Sequence, residues 1–212
     1  MRITKFGHAC VRIEHDGTTL VIDPGMFTQP EAVDGADAVL ITHEHADHYQ
    51  PDLLARTDAP VFTIEAVAAK IREEAPGVAE RTTVVAPGQS FEASGLPVTA
   101  VNEKHAVIHP EFPTFDNSGY LVTAGDTTLF HPGDALDGPG RGVDILFLPV
   151  SAPWARASEL VDFARAVKAP TNLAIHDRIY SDAGSAVFDG HLNAFLPKEG
   201  LTYHRLKDGE DL

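Results

Sequence analysis

Between Thr42 and His48 the chain reads Thr-His-Glu-His-Ala-Asp-His, which places three imidazoles and two carboxylates within six residues. His43 and His45 are two apart, so an extended segment throws both rings to the same side, while Asp47 and His48 follow where the chain turns. One short loop can then face two metal ions, and paired divalent ions are a means of activating water. With 11 histidines in 212 residues, the pattern His-x-His-x-Asp-His should arise by chance with a probability of roughly two or three in a thousand, which makes a plain polar loop the poorer explanation. Four ligand atoms do not satisfy two ions. His105, Asp134 and His176 supply further candidates, each at or just past the end of an expected strand. Cys10 is the only cysteine, so thiolate-rich zinc sites and intrachain disulfides are excluded and any metal must use imidazole and carboxylate.

The elements that must position these residues are mostly strands. Arg2 to Phe6, Val11 to Glu14, Thr18 to Ile22 (after the turn pair Asp16-Gly17) and Ala38 to Ile41 suggest an antiparallel opening rather than a βαβ nucleotide fold. A helix is expected over Ile64 to Glu74, ended by Pro76-Gly77. Strands follow at Thr82 to Val85, Gln89 to Glu92 and Pro97 to Val101, and Ser118 to Thr123 with Thr127 to His131 flank the hairpin signal Gly125-Asp126. Asp144 to Val150 is a nearly continuous apolar run, as in a strand buried on both faces. A helix capped by Ser158 is expected to Val167, then a buried strand over Asn172 to Ile175. With no linker or short repeat, residues 1–212 are expected to form one α/β domain with two strand-rich halves.

Sixteen Lys plus Arg against 31 Asp plus Glu give a formal charge of -15, so a long nucleic acid meets a repulsive surface. A small-molecule substrate is the expected partner. No segment has the length of a membrane span or the pattern of a signal peptide, which points to the cytoplasm and away from membranes. A homo-oligomer is left open.

The order of Asp23 in Val-Ile-Asp-Pro-Gly, the 43–48 cluster, His105, Asp134 and His176 resembles the five motifs of the metallo-β-lactamase superfamily, from about residue 7 to residue 180. Gly7-His8-Ala9, Asn117-Ser118-Gly119-Tyr120 and Phe130-His131-Pro132-Gly133-Asp134-Ala135 are similar in particular to the compact branch related to L-ascorbate-6-phosphate lactonase. The resemblance implies a four-layer αββα sandwich. It implies that His43, His45 and His105 bind one metal, that Asp47, His48 and His176 bind a second, and that Asp134 bridges them. Asp23 would orient the 43–48 loop from behind. Histidine at position 45, where the oxygen-reducing diiron branch uses glutamate, favours hydrolysis.

The expected activity is therefore hydrolysis of a small substrate by metal-bound hydroxide, a lactone or related ester first and a small phosphodiester as the rival. Two divalent ions are expected, zinc first, with manganese or iron as alternatives. Asp47 and Asp134 are the candidate catalytic carboxylates that position the hydroxide. Two ions would change the overall charge to about -11, so the cleft can attract a small anion that the exterior repels. From other classes come a metal-binding regulator without turnover and a mononuclear iron oxygenase. His8 and His109 are candidate substrate contacts, His109 within a loop whose Phe112 and Phe115 could wall a pocket. His131 is expected to support Asp134. Trp154 is expected to be a core or surface anchor, with gating of a cleft as the alternative, and Tyr49, Arg178 and Tyr180 to be solvated or core residues, with binding of an anionic group as the alternative.

Overall fold

The computed structural model describes residues 1–212. Fourteen strands form two sheets. The first contains β1 (Arg2–Lys5), β2 (Val11–His15), β3 (Thr18–Ile22), β4 (Ala38–Ile41), β5 (Val61–Thr63), β6 (Thr82–Val84) and the short β14 (Glu210–Asp211). The second contains β7 (Ser90–Ala93), β8 (Leu96–Val101), β9 (Gly119–Ala124), β10 (Thr127–His131), β11 (Ile145–Pro149), β12 (Thr171–Ile175) and β13 (Thr202–His204). Their orders are β14-β1-β2-β3-β4-β5-β6 and β13-β12-β11-β10-β9-β8-β7. The helices are α1 (Pro51–Leu54), α2 (Glu65–Glu74), α3 (Pro76–Ala79), α4 (Ala157–Val167) and α5 (Asp182–Phe195).

Alternation along the strands builds the layers. In β4, Ala38 and Leu40 face the second sheet, joining Ile13 and Ile22 against Val122 and Phe147. Val39 and Ile41 point the other way and pack with Val67 and Ile71 of α2. In β11, Leu146 and Leu148 leave the central layer to meet Val161 and Ala164 of α4. Each fully buried aliphatic side chain of this kind contributes about 1.5–3 kcal/mol of burial. The result is the αββα sandwich of the metallo-β-lactamase fold.

Local expectations need four amendments. The opening is antiparallel only through β3, because β3, β4, β5 and β6 run parallel, with crossover segments between them. The helix before Pro76 does end at Glu74 as expected, but Pro76 also begins the short α3, since a missing N–H costs nothing in a first turn. The first residue before α4 is Arg156, whose backbone N–H is bound by Glu159 at 2.7 Å, and Ser158 lies inside the helix. Finally α5, a helix not expected from the sequence, starts from a Ser181 side chain that accepts the Gly184 N–H.

Parallel strands send their C-terminal ends to one edge, and that edge is also where the sheets are tied together. Ser118 N–H donates to Thr42 O at 2.9 Å and His176 N–H to His8 O at 3.0 Å. The His131 ring nitrogen Nε2 reaches Ala9 O at 3.0 Å, and the buried Tyr120 hydroxyl donates to Ile41 O at 2.8 Å.

Candidate metal centre

The tied edge gathers the residues singled out by type and spacing. Asp23 follows β3, Thr42 to His48 follow β4, His105 follows β8, Asp134 follows β10 and His176 follows β12. His8, Asp23 and His176 all have positive φ (63°, 51° and 52°), a conformation costly for residues other than glycine and characteristic of functional sites. Glycines let the loops close in. A Cβ on Gly25 would stand 1.9 Å from Asp47 O, and one on Gly133 would stand 2.2 Å from the Asn117 side-chain oxygen.

Two groups of potential ligand atoms result, each within 4.8 Å: His43, His45, His105 and Asp134 in one, and His8, Asp47, His48 and His176 in the other. Asp134 links them. Its Oδ2 lies 3.2 Å from His105 Nε2 and 3.2 Å from His176 Nε2, while Oδ1 lies 3.1 Å from His48 Nε2. Asp47 Oδ2 stands 3.4 Å from His176 Nε2 and 3.9 Å from His48 Nε2. His43 Nε2 and His45 Nδ1 are 3.0 Å apart.

Hydrogen bonds from behind decide which ring nitrogen faces inward. The Thr42 hydroxyl donates to Asp23 Oδ2 at 2.7 Å, so its oxygen is left to accept the His43 Nδ1–H at 3.0 Å, and His43 Nε2 keeps its lone pair for the cluster. His48 Nδ1–H donates to the same Asp23 oxygen at 2.7 Å, and His105 Nδ1–H to Ala106 O at 2.6 Å. Asp23 Oδ1 accepts the Thr42 N–H at 2.8 Å. Asn117 holds Asp134 similarly, accepting its N–H at 3.0 Å while its amide nitrogen donates to Pro132 O.

His8 is different. Its Nδ1 accepts the Arg178 N–H at 3.2 Å, so the ring proton is on Nε2, which donates to Asp47 Oδ2 at 3.0 Å. A nitrogen carrying that proton is not a ligand, and the buried ring steadies Asp47 instead of opening onto solvent. His109 is exposed in the 106–115 loop, where its Nδ1 accepts the Glu111 N–H, and it joins neither group. His131 sits under the Asp134 turn and accepts the Gly133 N–H. Thr42, Asn117 and Trp154 adjoin the centre without having been assigned a role there by sequence, and Phe115, expected as a pocket wall, packs against His45. Their contacts depend on the fold, and no metal-ligand spacing marks them.

The electrostatics match a cation site. Burial opposes ionisation of Asp47, but bonds from His176 and His8 and the charge of His48 hold its carboxyl far below the usual range. Burial likewise opposes ionisation of Asp134, and the charges of His176 and His48 outweigh it. His43 and His45 are driven toward the neutral form, chiefly by burial, and burial brings His8 down to about 3. For His176 burial acts downward too, but Asp134 and Asp47 raise it to about 9. The same carboxylates would attract a metal in place of those protons.

The donor set fits such a metal. His48 Nε2, His105 Nε2 and Asp134 Oδ1 are buried without a hydrogen-bond partner, although unpaired buried polar atoms are costly. Bonds of about 2.0–2.1 Å in tetrahedral geometry imply ligand separations of about 3.3 Å, and the distances around Asp134 Oδ2 run from 3.2 to 3.8 Å.

A sandwich with histidine and aspartate gathered at one edge defines a class of metal-dependent hydrolases, and comparison with known proteins agrees. The family model described as Beta-lactamase superfamily domain matches residues 2–176. Protein Rv0786c of Mycobacterium tuberculosis is 38% identical over 200 residues, covering 91% of each chain. A UPF0173 metal-dependent hydrolase of Geobacillus thermodenitrificans is 30% identical over 188 residues, covering 75% of this chain and 77% of that one. The fold is shared with Igni18, a metallo hydrolase from Ignicoccus hospitalis, at a TM-score of 0.76 and 18% identity, covering 100% of this chain and 97% of that one. The chain belongs to the beta-lactamase superfamily, within its UPF0173 family of metal-dependent hydrolases. No helix is long and apolar enough to cross a membrane.

Proposed function

We propose that the protein is a binuclear metal-dependent hydrolase of small lactones or related esters. The observation that carries this reading is the position of Asp134 Oδ2, 3.2 Å from a histidine of each ligand group. His43, His45 and His105 would hold one ion, Asp47, His48 and His176 the other, and Asp134 both. Bound there, divalent ions such as zinc supply a lowered pKa for water and a Lewis acid for the carbonyl oxygen.

The chain's own groups do the positioning. Asp23, through His48 and through Thr42 to His43, fixes both ends of the 43–48 loop. Asp47, kept ionised and steadied by His8, can accept a hydrogen bond from a water at the centre and orient it. Trp154 and Phe115 shield the centre from bulk water, their rings 5.5 and 6.2 Å from that of His105.

Esters are favoured over phosphodiesters because the neighbouring cations are already committed. Lys104 is paired with Asp116, Arg178 with Asp208, Lys5 with Asp177, and Lys70 donates to Glu44 O. Three of the four are paired with carboxylates and Lys70 is turned onto a backbone carbonyl, so no cluster of unpaired cations faces the centre to favour a phosphate.

Metal analysis of the purified protein, followed by a panel of lactones, thioesters, phosphodiesters and β-lactams, tests the reading. Two equivalents of metal and lactone or ester turnover are expected, abolished with loss of metal in His45→Ala and Asp134→Ala. Phosphodiester turnover alone would select the rival activity. A fully loaded protein that turns over nothing would be a binding protein, and one equivalent of iron with oxygen uptake would make it an oxygenase.

A further inference from the structure

Resting on the ester or lactone reading, we infer that the substrate carries an uncharged hydrophobic tail and that the loop after His105 is the site that takes it. The segment Ala106 to Phe115 folds around a cavity of about 340 Å³, at the small end of the range for ligand sites. Val107, Ile108 and Phe112 in this loop are 64%, 45% and 61% exposed. Three large apolar side chains left in water within six residues are a local cost to folding, and such patches mark places where something apolar binds.

The loop that lines this cavity is fastened to the centre at both ends. Ala106 N–H donates to Asp134 O at 2.7 Å, and Phe115 O accepts the His105 N–H at 3.0 Å. The Phe115 ring packs edge-on against His45, with centroids 4.7 Å apart. A molecule whose chain lies along Ile108 and Phe112 therefore brings its head toward His45 and Asp134. Across the centre, Phe27 packs on His8 at 5.2 Å and Met26 is 57% exposed, so the apolar rim continues there.

Charge narrows the tail further. Lys104, beside His105, is bound to Asp116, and Glu111 adds a carboxylate to the loop. An anionic tail would find no partner and a repelling neighbour. A neutral alkyl or aryl tail pays no such cost and covers the exposed side chains.

The test uses metal-loaded full-length protein and two probe series, p-nitrophenyl esters from acetyl to octanoyl and γ-lactones with side chains from methyl to hexyl. In the wild type, kcat/KM should rise with each methylene, up to roughly fourfold per step where the added group is fully buried. In Ile108→Ser and Phe112→Ser the slope of log kcat/KM against chain length should fall toward zero. Ester or lactone turnover that is indifferent to chain length overturns the inference while leaving the hydrolase reading intact. If the loaded protein hydrolyses no ester or lactone, the ester or lactone reading fails instead, and the pocket is decided by titrating 1-octanol while observing the methyl resonances of Val107 and Ile108. Saturable shifts at those methyls support the pocket, and their absence overturns it.

Discussion

The Trp154 indole N–H donates to Asp134 Oδ2 at 3.1 Å, and this is the same oxygen that stands between His105 and His176. The indole lies against both of those rings, at 5.5 and 6.1 Å between centroids. A donor aimed at a shared carboxylate oxygen fixes its orientation and draws off some of its charge, and groups in this position typically alter metal affinity 10- to 100-fold. Trp154→Phe keeps a ring in place and removes only the N–H. Because that oxygen is shared, metal titration of this variant should show the affinity for both ions weakened, by about tenfold or more. Because Trp154 is the only tryptophan, metal uptake by the wild type should also change its fluorescence. Affinities unchanged from the wild type in Trp154→Phe would show that the hydrogen bond has no such role.

Asp23 and Thr42 separate the two groups in another way. Asp23 is bonded to His48 directly and to His43 only through the Thr42 hydroxyl. Thr42→Val should therefore weaken chiefly the ion held by His43, whereas Asp23→Ala should weaken both. Sequential metal removal with a chelator reads out the difference. Identical two-ion losses in both variants would mean that the loop collapses as a unit.

How far the sequence reveals this centre follows from the physics of each part. The strand ends carrying His105, Asp134 and His176 were legible because apolar runs announce strands and isolated polar residues follow them. The parallel path from β3 to β6 was not, since direction is set by crossovers and β5 has only three residues. Helix α5 was missed because its segment contains two glycines and buries only Leu192, which leaves almost no apolar period to read. His8 illustrates the limit at the site. Its identity suggested contact with substrate, but the Arg178 N–H that assigns its proton comes from 170 residues away.

A buried ion pair beside the centre should matter to stability. Lys5 is fully buried, with Nζ 2.8 Å from Asp177, the residue after His176, and 3.4 Å from Asp208. Burial pulls the ammonium below its ordinary range despite Asp177. Asp177→Asn leaves a buried charge poorly compensated and should cost about 3 kcal/mol in urea unfolding. Lys5→Met removes the charge while keeping apolar bulk and should cost less. A larger loss in Lys5→Met would show that the ammonium contributes net stability rather than merely needing its partner.

His131 gives the metal-free protein a specific acid sensitivity. Its ring is fully buried, and burial lowers its pKa although Asp23 and the bond to Ala9 O act upward. The folded state therefore binds this proton less readily than the unfolded chain, whose histidine titrates near about 6.5. The stabilisation is present above about pH 6.5 and is lost as pH falls toward the folded value, at no more than about 1.4 kcal/mol per pH unit from one group. His131→Gln keeps an amide donor for Ala9 O and cannot titrate. Urea unfolding of the chelated wild type and this variant at pH 7.5, 6.5 and 5.5 should show the wild-type advantage shrinking as pH falls. A constant gap over that range would mean that the His131 proton uptake is the same in both states, and that the acid sensitivity comes from other groups.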